Sequence, residues 1–307
     1  MARALNVSSR IAFFVLFVLA MSLPVLAEDV LRLHEIVDFD RPEAWAMKYY
    51  GAATLFTGIT PPETMRPWSL EAGIEGVSLP HLSAEKRTVG FTGTKPEDLN
   101  KLPGYARPRL TIGLPSDFSV SLGWVPPVTL RGLRANLLAL SIQRPIVSSG
   151  GFSLGARAYG QRGYVRSDFT CPEEEVAFPP GSQQNLYGCE SPSSDVATLR
   201  QTGLELIGSQ RLASFGSPTV SLGAAGSYMD TDFQVNAQTF GFLDRTHLFT
   251  HGIVYSFEGG VLWPVMPRAD VGLQLFYAPL SVLRPGATST RNDNLLNVRF
   301  LVSYRLR

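Results

Sequence analysis

The chain has 307 residues, 45% of them hydrophobic, and its 27 basic and 26 acidic side chains give a formal net charge of +1. This near balance, with no concentrated basic stretch, excludes a nucleic-acid partner from the prediction. The 28 glycines and the recurring turn-forming pairs favour an all-β protein with many hairpins.

The first residues have the pattern of an export signal. Arg3 and Arg10 precede the uncharged run IAFFVLFVLAM, and small residues lead to Ala27. A basic start, a short apolar core and a small residue at the cut predict a cleavable signal peptide over residues 1–27, cut after Ala27. An uncleaved anchor helix is the alternative, but the apolar run is short for crossing a bilayer. No later stretch reaches the length of a transmembrane helix.

Residues 28–66 differ from the rest of the chain and predict one short helix. Asp40 is a candidate N-cap, Pro42 suits a first turn and Gly51 suits a stop, so the helix is expected over about 41–50. We interpret this segment as a plug or a periplasmic segment that precedes the main domain.

The remaining chain, residues 67–307, alternates apolar and polar residues with a period of two, the mark of a β-strand. In FSVSLGW, for example, Phe118, Val120, Leu122 and Trp124 share one face. Ten strands are predicted, with ten to twelve as the range. They lie near 69–79, 109–114, 118–124, 135–146, 152–166, 198–212, 219–230, 247–263, 268–279 and 294–306.

The connections between these strands are alternately short and longer. Short turns are expected at 116–117, 148–151, 213–218 and 264–267, and longer loops at 80–107, 128–134, 167–197, 231–246 and 280–293. Outer-membrane barrels have tight periplasmic turns and long external loops. Most strands are about 9–14 residues long, which is enough to cross a bilayer at a tilt and longer than is usual in soluble sandwiches.

Aromatic residues gather towards the strand ends, as in interfacial girdles: Trp68, Trp124, Tyr228, Trp263, Tyr277 and Tyr304. These features together predict an all-β fold, a transmembrane up-and-down antiparallel β-barrel of about ten strands. Its location would be the cell outer membrane, with outer-membrane lipid around it. A soluble secreted β-protein remains the alternative.

The last predicted strand, 294–306, keeps Phe300 and Tyr304 on its apolar face. It resembles the C-terminal assembly strand of Gram-negative outer-membrane proteins, although those strands usually end on an aromatic and this sequence ends Leu306-Arg307. The resemblance implies that the barrel-assembly machinery is a partner.

Charged residues on the polar face are expected to line the lumen. Such charges must pair or stay hydrated, and about ten strands leave little open bore. We expect them to set selectivity by charge in a transport or channel protein for a small or hydrophobic solute of unknown identity, without a cofactor. The alternative is a structural or adhesive surface protein that acts through loops 80–107 and 167–197. The lumen residues are Glu71, Glu75, Arg157, Glu205, Glu258 and Arg299.

Cys171 and Cys189 lie in one polar segment of an exported chain, which predicts a disulfide worth about 3 kcal/mol. Six acidic residues surround them, and a Ca²⁺ site is a minor alternative without EF-hand spacing. No metal site is predicted.

Three patterns resemble catalytic motifs, but no catalytic residue is predicted. GFSLG at 151–155 matches a nucleophile elbow, but Ser153 opens a strand and not a strand–turn–helix. His247 and His251 lack the glutamate and the helix of a metalloprotease signature. Asp230 and Asp232 with His247 loosely resemble the rim residues of omptin proteases, which makes a rim hydrolase the least favoured alternative.

Overall fold

The computed structural model describes residues 29–59, 64–213 and 216–306. The predicted signal peptide lies outside these residues. No helix within the described part of the chain is long and apolar enough to cross a membrane.

The strands follow one another in chain order with one principal helix among them, α1 (Pro42–Thr54). Three helices of four residues lie in loops, at Ala84–Arg87, Gly90–Gly93 and Glu173–Val176. The strands are β1 (Asp29–Leu31), β2 (His34–Ile36), β3 (Leu70–Ser78), β4 (Thr88–Val89), β5 (Lys95–Pro96), β6 (Gly104–Gly113), β7 (Ser119–Val125), β8 (Thr129–Leu130), β9 (Leu133–Ser149), β10 (Phe152–Ser167), β11 (Cys189–Ser191), β12 (Asp195–Arg211), β13 (Thr219–Gln234), β14 (Ala237–Thr239), β15 (Phe242–Asp244), β16 (His247–Met266), β17 (Ala269–Ala278), β18 (Ser281–Val282), β19 (Arg291–Asn292) and β20 (Leu295–Arg305).

Ten of these strands close into a barrel in which every neighbour is antiparallel. The order around the barrel is β3, β6, β7, β9, β10, β12, β13, β16, β17 and β20. The last strand closes it, because β20 pairs with β17 on one side and with β3 on the other. The predicted up-and-down, ten-stranded antiparallel barrel is therefore confirmed.

One strand begins earlier than the sequence predicted. The expected strand 109–114 is β6, which starts at Gly104 and includes Pro108. Proline cannot donate a backbone hydrogen bond, so it is tolerated where a strand lacks a partner on one side. Pro108 pairs with Ile74 of β3, while the pairing with β7 begins only at Arg109. The longest strand, β16, has 20 residues and exceeds the predicted 9–14.

The barrel is apolar outside and polar inside. Leu204 and Leu222 are 71% and 70% exposed on the outer surface, whereas Arg157 and Glu205, on neighbouring strands, are buried. Alternation along each strand sends the two sets to opposite faces. A soluble barrel would have the reverse polarity, so the outer surface of this one is suited to lipid.

The two ends of the barrel differ in their connections. Residues 114–118, 150–151 and 267–268 make short turns at one end, where β12 also ends and β13 begins, and the loops 79–103, 126–132, 168–194, 235–246 and 279–294 extend from the other end. On the pattern of outer-membrane barrels, we call the first the periplasmic end and the second the external end.

The N-terminal segment passes through the barrel. β2 pairs in parallel with the external end of β16, at His247–Phe249. Helix α1 then runs down the lumen, and Trp68 N–H donates to Gly113 O at the periplasmic end, over 2.7 Å. Nearly every residue of the helix is buried.

The helix departs from the sequence prediction at both ends. Arg41, not Asp40, occupies the N-cap position, and the helix continues past Gly51 to Thr54. A Cβ at Gly51 would lie 2.8 Å from Gln201 Nε2 and 2.9 Å from Met229 Sδ on the barrel wall. Gly51 is therefore a point of close approach to the wall and not a helix stop.

Cys171 and Cys189 form the predicted disulfide, with their Cα atoms 5.6 Å apart. Cys189 begins β11, the edge of a four-stranded external sheet in the order β1-β15-β14-β11. The disulfide loop and the N-terminal strand β1 thus belong to one external cap.

Candidate functional site

The C-terminal end of α1 is held by arginines of the barrel wall. Arg107 Nη1 donates to Thr54 O over 3.0 Å, and Arg299 Nη1 donates to Leu55 O over 3.1 Å and to Thr57 Oγ1 over 2.8 Å. The last carbonyls of a helix have no partners within the helix and carry partial negative charge. Two guanidinium groups therefore anchor the helix end in the middle of the lumen.

A carboxylate on the opposite wall holds the chain just after the helix. Gly58 N–H donates to both oxygens of Glu205, over 3.0 and 3.1 Å, and Arg157 Nη1 donates to the same carboxylate over 3.2 Å. A Cβ on Gly58 would lie 1.9 Å from Arg157 Nη1 and 2.5 Å from Ile207 Cδ1. Only glycine lets the backbone approach the wall this closely.

A second ion cluster lies beside the first. Glu75 accepts from Arg107 Nη2 over 2.7 Å and from Arg109 Nη1 over 3.1 Å, and it is fully buried. Both guanidinium groups also stack on the Phe56 ring, 4.7 and 4.3 Å from its centre. The N-terminal segment thus contributes an aromatic ring to a charged cluster of the wall.

Part of the buried wall has polar atoms without partners. Among the described residues, both amide atoms of Asn297, the Oε1 of Gln274 and the Nε and Nη2 of Arg299 have no hydrogen-bond partner. These side chains are on adjacent strands β17 and β20 and are buried. Buried polar atoms are nearly always satisfied, and unsatisfied ones facing a polar interior indicate room for water.

Five of the six predicted lumen residues lie around residues 54–58. Glu75, Arg157, Glu205 and Arg299 take part in the contacts above, and Glu258 is buried beside Glu205. Glu71 stands apart, nearer the periplasmic mouth, 3.8 Å from Arg305. Their role in selectivity stays a prediction.

Sequence reasoning missed three participants, Arg107, Arg109 and Phe56. Arg107 falls in a predicted loop, because the sequence pattern places the start of the strand after Pro108. Arg107 and Arg109 lie on either side of this proline and two residues apart, so on a strand they share the lumen-facing side with Thr111. Extending the alternation back through Pro108 could have found both arginines.

The external half of α1 is tied to the external loops. Trp45 Nε1 donates to Asp293 O over 3.0 Å, Tyr49 Oη to Pro80 O over 2.9 Å and Tyr50 Oη to Leu99 O over 2.9 Å. The loops 79–103 and 279–294 therefore rest on the helix and cover the lumen from outside.

The loop 79–103 also contains a buried acid next to this cover. Glu97 accepts from Lys95 Nζ over 2.8 Å. Burial raises the pKa of Glu97 to about 8, although the neighbouring Lys95 cation acts in the opposite direction.

Of the three rim residues that resemble those of omptin proteases, the structure brings together Asp232 and His247 but not Asp230. His247 Nε2 lies 3.2 Å from Asp232 Oδ1, but Asp230 forms an exposed pair with Arg200 over 3.2 Å. Asp230 and Asp232 are two residues apart and share one face of β13, but Asp230 is the more exposed and pairs with a different residue. Ser153 lies in the regular strand β10, and no cluster of three metal-ligating side chains occurs among the described residues.

A closed ten-stranded barrel with a lipid-suited exterior, aromatic residues near its rims and a charged interior defines an outer-membrane β-barrel protein. No family model and no curated protein matches the sequence. Similar solved structures are also outer-membrane barrels.

The protease OmpT of Escherichia coli is 12% identical, covering 78% of this chain and 94% of that one, with a TM-score of 0.37. The translocator domain of the autotransporter NalP of Neisseria meningitidis is 10% identical, covering 79% and 89%, with a TM-score of 0.38. The toluene transporter TodX of Pseudomonas putida is 12% identical, covering 89% and 77%, with a TM-score of 0.34. Similarities this distant assign no activity to this chain.

Proposed function

We propose that this barrel is a gated transport protein for a small solute and that its N-terminal segment is the gate. The observation that carries the proposal is the set of unpartnered polar atoms on the buried wall beside that segment, at Gln274, Asn297 and Arg299. Water can bind at these atoms. The wall beside the segment is therefore suited to become a hydrated path once the segment moves.

The anchoring of the segment fits a gate. Polar contacts to Arg107, Arg299 and Glu205 fix its central part, from Thr54 to Gly58. Water can replace such hydrogen bonds when the segment moves, so their net contribution is about 1 kcal/mol each, or somewhat more where a charge is involved. Disordering of a segment is a common way of opening a closed site.

Single-channel conductance in planar bilayers tests this function. We expect rare openings in the wild type, and more frequent openings in the double variant R107A/R299A, which frees the last carbonyls of α1. The matched control is Arg162→Ala, because Arg162 neighbours the buried Gln161 but is exposed on the outer face. A variant lacking residues 29–59 gives the fully open limit. Silence from all of these proteins, folded and inserted, would refute transport.

A surface role through the external loops is the second candidate. It is favoured by the disulfide Cys171–Cys189 and by the external sheet, which together make an ordered cap. Binding of cells or matrix by a silent barrel, lost when the loop 168–194 is shortened, would support this candidate over transport.

We propose no enzymatic activity. Among the residues that the structure describes, the Asp232–His247 pair is the arrangement closest to what a rim hydrolase would use, and Asp232→Asn tests it. Hydrolysis of a peptide library by the wild type, absent in this variant, would overturn the proposal.

A further inference from the structure

An apolar cavity of about 250 Å³ lies at the external end, between the N-terminal segment and the barrel wall. Met47 and Tyr50 of α1 line it together with Leu199 of β12 and Phe233 of β13, and Leu99 of the loop 79–103 completes this lining. Leu199 is fully buried. The cavity is thus lined by three separate parts of the chain.

Two of the acidic groups at the border of this cavity are already paired with cations. Glu43 accepts from Arg41 Nη2 over 2.8 Å, and Glu97 accepts from Lys95 Nζ over 2.8 Å. Arg41 is the one cation among the described lining residues, and it also pairs with Glu35. A negatively charged ligand would therefore meet carboxylates and find no unpaired cation, which is unfavourable in a dehydrated site.

We propose that this cavity binds a neutral, apolar molecule about the size of two fused aromatic rings. An apolar protein cavity of about 150 Å³ stays dry and takes up benzene, so a cavity of 250 Å³ with similar lining has room for a second ring. Binding would remove apolar surface from water on both sides, the main favourable contribution in such sites.

This inference rests on the proposed transport function, because a ligand in this cavity would be the signal to which the gate responds. Met47 and Tyr50 belong to the gating segment, and Leu31 and Leu33 of the same segment also line the cavity. A ligand shifts an equilibrium only when it contacts the two states differently. A molecule in this cavity contacts the gate itself, so its affinity must depend on where the segment lies.

Equilibrium dialysis of radiolabelled naphthalene against the full mature chain in lipid nanodiscs tests the site. The control for partition into lipid is Ala197→Trp, which fills the cavity. The control for a new tryptophan is Leu204→Trp, at a lipid-facing position of the same strand that is 71% exposed. Ala46→Phe fills the cavity from the helix side and guards against a local folding defect.

We expect saturable binding of one equivalent of naphthalene to the wild type and to Leu204→Trp. Both filling variants should bind at least about tenfold more weakly, equivalent to about 1.4 kcal/mol. 2-Naphthoate, which has the same rings with a carboxylate, should also bind at least about tenfold more weakly.

Each other outcome has a definite meaning. Equal uptake by the wild type and Ala197→Trp would overturn the site, and equal affinity for 2-naphthoate would overturn the neutral ligand class. Binding by a barrel that never conducts would leave the site standing and refute transport. Conductance without naphthalene binding would support transport and overturn the site.

Discussion

Replacing Glu75 by glutamine should destabilise the barrel far more than a surface substitution of the same kind. Glu75 is fully buried and accepts three hydrogen bonds, two from Arg107 at 2.7 and 3.1 Å and one from Arg109 at 3.1 Å. Glutamine has nearly the same shape but leaves two buried guanidinium groups without a counter-charge. Breaking a buried pair in this way costs about 3–5 kcal/mol.

The assay is the free energy of unfolding from urea titration of the refolded chain, followed by tryptophan fluorescence. The matched control is Glu85→Gln, since Glu85 is 67% exposed and pairs with Arg291 over 2.6 Å. An exposed pair contributes about 1 kcal/mol or less. Adding Arg109→Gln to Glu75→Gln should recover part of the loss, because one uncompensated charge is removed. A loss below about 1 kcal/mol for Glu75→Gln would refute this account of the cluster.

Three further predictions concern the N-terminal segment and the external end. Gly58→Ala should cost about 1–3 kcal/mol of unfolding free energy, because its Cβ would clash with the wall; Gly208→Ala, with no atom within 4 Å, should not show this overpacking loss. On intact cells, a cysteine at Val30, in the external sheet, should react with a membrane-impermeant maleimide, and a cysteine at Ser149, at a periplasmic turn, should not react. Reaction at Ser149 and not at Val30 would show that the barrel has the opposite orientation. Because the pKa of Glu97 is raised to about 8, the stability from this group is full below about pH 4.5 and is lost as the pH rises to about 8. Glu97→Gln should flatten that slope in urea titrations, and an unchanged slope would contradict the assignment.

The barrel could be predicted from the sequence because each of its strands repeats one local rule. A lipid-facing strand alternates residue by residue, and Leu204 and Leu206 against Glu205 show this without knowledge of any neighbour. The alternation of short turns and long loops along the chain then indicates which strand ends lie at the periplasmic and at the external end of the barrel. The predicted start of β6 was wrong because proline is locally a strand breaker. Pro108 is tolerated because β7 does not pair with β6 at this position, which only the closed barrel reveals.

The path of the N-terminal segment was less accessible to sequence reasoning, because its contacts join residues far apart in the chain. In the sequence, nothing distinguishes Gly51 and Gly58 from glycines that form turns. Their meaning comes from Met229, Gln201 and Arg157, which approach them across the lumen. Periodicity identifies the faces of strands but does not say which lumen residues will meet a helix end.

The arrangement of charges around α1 explains why the lumen can be both filled and polar. Arg107 and Arg299 meet the negative end of the helix, and Glu205 accepts from the N–H of Gly58 just beyond it. These three wall charges therefore face backbone groups of opposite sign. Removing the segment would expose apolar wall residues such as Leu199 and Phe276, which share one hydrophobic core with Trp45, but it would also expose charges that water can solvate. Solvation of these charges offsets part of the cost of exposing the apolar surface, which lowers the free energy of the open state that the proposed gate requires.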